Sequence, residues 1–62
     1  MQQGDLVRYS EARLSHYFED VPQLKYRCEL IGILLRERSV TWEVFWSDGK
    51  QEEVHEDYLE RI

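Results

Sequence analysis

The side chains of this 62-residue chain that could move protons, hold a metal or act as nucleophiles are few: His16, His55, Cys28 and thirteen scattered carboxylates. The histidines stand far apart, and neither belongs to a His-Glu-x-x-His helix. No glycine-rich phosphate loop, Cys-x-x-Cys pair or serine in a nucleophile elbow is present. His55 lies among Glu52, Glu53, Glu56 and Asp57, donor types suited to a divalent ion. Their spacing matches no established metal site, and solvated charge is the plainer account. Two carboxylates acting as acid and base would need a cleft, which about 60 residues rarely build. The expectation is a non-enzymatic protein with no cofactor and no metal. Cys28, being single, cannot close an internal disulfide, so a buried structural thiol in a reducing compartment is expected.

The elements that must position any site read as short strands. Leu6–Ser10 follows Gly4-Asp5 as a first strand. Residues 11–22 form a long excursion with at most a turn of helix, carrying Ala12, Leu14, Tyr17 and Phe18 and ending at Asp20-Val21-Pro22. Leu30–Leu35 is the clearest apolar run. Alternation there is read with Ile31, Ile33 and Leu35 facing inward and Leu30, Gly32 and Leu34 outward. Arg36–Ser39 makes a polar turn. Val40–Trp46 follows with the best period-two pattern: Val40, Trp42, Val44 and Trp46 inward, Thr41, Glu43, Phe45 and Ser47 outward. Ser47-Asp48-Gly49-Lys50 is a hairpin turn, since Asp-Gly supplies the positive φ such turns need. Gln51–Val54 pairs back, His55–Leu59 makes a single helical turn, and Glu60–Ile62 closes the chain with Leu59 and Ile62 pointing inward.

In this order, Gly4-Asp5-Leu6-Val7, Gly32-Ile33-Leu34-Leu35, Val44-Phe45-Trp46-Ser47-Asp48-Gly49 and Tyr58-Leu59-Glu60-Arg61-Ile62 resemble the small SH3-like barrels, Tudor-type domains included. The chain looks most like short proteins of tailed bacteriophages. The resemblance spans nearly all of residues 1–62 and implies a single, mostly β domain. Its form would be a five-stranded SH3-like barrel with a long first loop and a short helical turn before the last strand. It also implies a viral origin. Tudor-like barrels hold methylated Lys or Arg in a cage of rings by cation–π attraction, and Tyr9, Trp42, Trp46 and Tyr58 are the rings available here. Because Trp42 and Trp46 share a face with Val40 and Val44, core packing competes with that role. Trp46, nearer the strand's end, is expected half exposed and is the better candidate.

Partner choice then rests on leftover surface. If Ile31, Ile33 and Leu35 are inside, Leu30, Leu34 and Phe45 form an outer apolar patch, the mark of an interface. The alternative is that residues 11–24 fold over it. Candidate partner-binding residues are therefore Leu34, Phe45, Trp46, Tyr9 and Tyr58, with a host or virion protein, or a second copy under C₂ symmetry, as partner. Lys25, Arg27, Arg36 and Arg38 flank the second strand as a basic group suited to the acidic end of another copy. Residues 1–38 balance their charges, and the whole net charge of −5 sits in residues 39–62. That sign disfavours nucleic acid, whose binders carry a basic footprint. No apolar run approaches the roughly 20 residues that cross a membrane, and Met1–Asp5 lacks a secretory pattern, so a location in host cytoplasm or virion is expected. A nucleic-acid-associated barrel and a docking subunit of an electron-transfer enzyme are the other functions such barrels suggest.

Overall fold

The computed structural model describes residues 1–62. Strands β1 (Leu6–Tyr9), β2 (Gly32–Glu37), β3 (Thr41–Trp46), β4 (Gln51–His55) and β5 (Leu59–Arg61) form one antiparallel sheet. Its order is β4-β3-β2-β1-β5, with β4 and β5 at the two open edges. The segment joining β1 to β2 holds helix α1 (Glu11–Leu14), a 3₁₀ turn at Ser15–Tyr17 and helix α2 (Gln23–Arg27). A second 3₁₀ turn, Glu56–Tyr58, joins β4 to β5. No helix is long and apolar enough to cross a membrane.

Local chemistry explains these boundaries. Ser10 caps α1, its Oγ accepting from the Arg13 N–H at 3.3 Å. Helix α2 begins directly after Pro22, whose φ of −57° is already helical. The excursion therefore contains a helix beyond the proline, where the sequence suggested an ending. Gly49, at φ 90°, turns β3 into β4, and the Lys50 N–H donates to Asp48 Oδ1 at 3.1 Å. The turn between β2 and β3 is shorter than expected. The Arg38 N–H donates to the Thr41 carbonyl, so Val40 lies in the turn, exposed, rather than starting an inward-facing strand.

The core is one cluster drawn from every strand: Val7, Leu30, Leu34, Trp42, Val44, Trp46, Val54 and Leu59, with Tyr9 packed against it. A flat sheet could not bring all five strands to one cluster, so the sheet is curled around its concave face. On β3 the alternation is as read, with Trp42, Val44 and Trp46 buried and Phe45 exposed. Along Leu30–Leu34, leading into and through β2, it is reversed. Leu30 and Leu34 are buried at 8% and 1% exposure, while Ile31 and Ile33 are open at 49% and 37%.

Gly32 is the cause. It sits directly opposite Trp46, and a Cβ on it would come within 2.5 Å of Val44 Cγ1 and 2.8 Å of the Trp46 ring. The largest core residue needs the one position on β2 that has no side chain, so Gly32 faces inward and takes Leu30 and Leu34 with it. A register shift between Leu34 and Arg36 then leaves Leu35 neither fully inside nor outside. Ile62, expected inward, is 62% exposed, because Leu59 alone reaches the core from β5.

Candidate functional site

On the convex side, register builds an uninterrupted apolar row. Leu6 of β1 lies opposite Ile33 of β2, and Ile33 opposite Phe45 of β3. The Ile62 N–H donates to the Leu6 carbonyl at 3.0 Å, one step beyond the β1–β5 ladder, which sets Ile62 beside Leu6. Ile62, Leu6, Ile33 and Phe45 thus cross four neighbouring strands on one face, all exposed, and Ile31 adjoins them. Leu6, Ile31, Gly32, Ile33, Phe45, Trp46 and Ser47 border a shallow groove of about 300 Å³. At roughly half exposure each, these apolar side chains leave on the order of 400 Å² of apolar surface to water, the size at which patches on small proteins carry function.

The rim of this face consists of ion pairs. Arg8 Nε meets Glu60 Oε1 at 3.0 Å, and Glu43 receives both Arg38 at 3.1 Å and Arg36 at 3.8 Å. Glu53 accepts from the Thr41 hydroxyl at 2.6 Å. The groove itself holds no titratable group.

Of the partner-binding residues singled out in the sequence, Phe45 alone exposes its side chain on this face; Trp46 borders the groove but is fully buried. Leu34 and Trp46 are in the core at 1% and 0% exposure and present nothing to a partner. Tyr58 is exposed but lies beyond β4, its ring edge-on to His55 at 6.1 Å. Tyr9 stacks on Trp46 with centroids 4.5 Å apart and planes within 13°. That spacing closes the gap a caged cation would need, so Tyr9, Trp42, Trp46 and Tyr58 do not assemble a ring cage around open space. Leu6, Ile31, Ile33 and Ile62 were missed as surface residues. The signal for Ile31 and Ile33 was Gly32, which has to face the bulkiest side chain on the neighbouring strand.

The opposite side carries a polar clamp. The Tyr9 hydroxyl donates to Glu52 Oε1 at 3.0 Å, and the same oxygen accepts from Arg27. Arg27 also donates to Asp48 at 2.7 Å, and its guanidinium carbon lies 5.9 and 5.8 Å from the Tyr9 and Trp46 ring centres. Its side chain is only 13% exposed. Arg27 pins α2 to β4 and to the β3–β4 turn. With Arg36 and Arg38 engaged by Glu43, the three arginines of the basic group read from the sequence are divided among internal partners. Burial, then hydrogen bonding to Glu52, pushes the Tyr9 hydroxyl up to about 12. Trp46 Nε1 has no hydrogen-bond partner, so that ring is held by its area and its stacking.

Neither histidine is arranged for chemistry. His55 Nδ1 accepts from the Asp57 N–H at 3.1 Å, capping the turn before β5, and His16 leans on Tyr17. No group of three or more His, Cys, Asp or Glu side chains is placed to hold a metal ion. Cys28 is half-buried. Burial first, then the negative charges of Glu11 and Glu60, push its thiol up, away from the reactive thiolate. No protein-family model matches the chain, and no curated protein and no solved structure matches it significantly.

Proposed function

We propose that this chain is a non-enzymatic protein–protein interaction module built as an SH3-like barrel, with the convex face of β1, β2 and β3 as its docking surface. The observation that carries this is the row Ile62, Leu6, Ile33 and Phe45, exposed across four adjacent strands. Single exposed apolar residues are ordinary, whereas a contiguous row of them costs solubility and is kept where a partner covers it. The barrel reading is supported by the strand order, in which β5 returns beside β1. It is further supported by the long first connection and by the 3₁₀ turn before the last strand. The resemblance of the motifs to short phage proteins favours a virion component or a factor that attaches to a host protein. The absence of any titratable group from the groove favours binding over catalysis.

The test is affinity capture from the natural host or infected cells, with the chain and its Phe45→Glu variant as baits. Phe45 is 45% exposed, so the variant should fold with an unchanged circular dichroism spectrum and melting curve. Its retention of the captured protein should fall at least about tenfold. Equal retention by both baits refutes the assignment of this face.

A further inference from the structure

We infer that the partner seated on the convex face is a second copy of the chain, the two sheets packing face to face about a twofold axis. This rests on the docking role proposed for the face and adds the identity of its occupant.

Charge is the first reason. The chain carries a net −5, so two copies repel wherever their net charge faces each other. The charges that share the face of the apolar row sum to zero: Arg8, Arg36 and Arg38 lie there with Glu43, Glu53 and Glu60. The excess of carboxylates lies elsewhere, at Glu19 and Asp20 before α2, at Glu37 on the end of β2, and at Glu56 and Asp57 in the turn before β5. The convex face is thus an aspect on which two equally charged molecules can meet without like-charge repulsion. A partner chosen by charge, basic or acidic, finds no net field there to steer it.

The rim's mixed sign also suits a twofold contact. Its charges are already paired within one copy, so an identical surface turned over meets no block of like charge. Area is the second reason. A stable dimer buries roughly 600–800 Å² per partner. The apolar row and Ile31 supply on the order of half of that, and the paired rim surrounds it, the arrangement of an apolar centre within a polar border. Apolar faces of twisted sheets pack on one another in this way in sandwiches, with inner side chains interdigitating.

Sedimentation equilibrium from about 1 µM to about 0.5 mM tests this. The mass should rise from 7.6 kDa toward twice that value. Raising salt should leave the association unchanged or strengthen it by screening the two net charges, whereas ion pairing between basic and acidic ends would weaken. Phe45→Glu and Leu6→Lys should each weaken the dimer about 100-fold. Val40→Glu, at an equally exposed apolar residue in the β2–β3 turn, should leave it intact. Thermal melts confirm that each variant is folded, and Leu6→Lys serves if Phe45→Glu is not. A mass of 7.6 kDa throughout, or a dimer indifferent to both variants, overturns the inference. A monomer that loses another captured protein on Phe45→Glu overturns the second copy while leaving the docking face standing. A monomer whose Phe45→Glu variant captures that protein as before removes both.

Discussion

Adding one methyl group at Gly32 is the sharpest test of how the sheet faces its core. An alanine Cβ there would lie 2.5 Å from Val44 Cγ1 and 2.8–2.9 Å from two atoms of the Trp46 ring. Neither neighbour is the free end of a flexible chain. Val44 and Trp46 are both at 0% exposure, Val44 is stiff at χ1, and the indole is clamped by Tyr9 at 4.5 Å. Overpacking of this kind costs about 1–3 kcal/mol. Alanine gains back about 0.5–1 kcal/mol by removing the entropy that glycine loses on folding. With all three contacts under 3.0 Å the overpacking falls in the upper half of that range, so the net loss is roughly 1–2 kcal/mol, a large share of the roughly 3–9 kcal/mol that a chain of this length holds in total. At about 4–8 °C per kcal/mol, Gly32→Ala should lower the melting temperature by roughly 5–15 °C in calorimetry or a circular dichroism melt. Had Gly32 faced solvent, with Ile31 and Ile33 inside, the same change would be neutral or slightly stabilising. A melting temperature equal to or above that of the parent chain refutes the orientation of β2, and with it the apolar convex face.

Adjacent positions on β2 should behave oppositely. Leu34→Ala, at 1% exposure, should cost about 2–5 kcal/mol in urea unfolding, and Ile33→Ala, largely at the surface, under about 1 kcal/mol. Arg27→Met removes the tie from α2 to Asp48 and Glu52 and should cost about 1–3 kcal/mol. Hydrogen exchange should then quicken in residues 23–29 before the strands respond. The Tyr9 hydroxyl, pushed up to about 12 by burial and Glu52, stays protonated in the folded chain above the pH at which it ionises in the unfolded one. Between about pH 10 and pH 12 the unfolded chain therefore holds fewer protons, so Tyr9's contribution to stability is complete below pH 10 and lost as pH climbs toward 12. Urea midpoints should fall more steeply over that window for the parent chain than for Tyr9→Phe.

Much of the fold was legible because turns and β3 announce themselves. Asp48-Gly49 could hardly be anything but a hairpin. On β3 the polar residues Thr41, Glu43 and Ser47 share one phase and Trp42, Val44 and Trp46 the other, so the pattern decides the face and carries Phe45 outward. The run Leu30-Ile31-Gly32-Ile33-Leu34-Leu35 carries no such information, since both phases are apolar and period two cannot choose between them. Reading Ile31 and Ile33 inward set β-branched bulk against leucine and a glycine, and that comparison omits the neighbour. What decides the phase is volume across the pair: Trp46 directly opposite Gly32 leaves no room for a side chain there and ample room beneath a missing one.

The same substitution of neighbour for sequence pattern explains why the site moved. Leu34 was chosen as an outward strand residue with apolar area to spare, and Trp46 as an inward one near enough the strand's end to be half exposed. Once Gly32 is drawn under the indole, Leu34 joins the core and Ile31 and Ile33 come to the surface beside Leu6 and Ile62. The number of apolar residues left over is set by composition, so reversing one strand relocates the sticky surface without abolishing it. Phe45 survived because its place depends on β3 alone. Arg27 was misread for a related reason: a guanidinium in a polar segment looks solvated until the chain folds back. Asp48, Glu52 and two ring edges then meet it from elements 18 or more residues away in the sequence. Local spacing can assign a side chain to a face of its own strand; whether that face meets water is settled by the volume of what lies across from it.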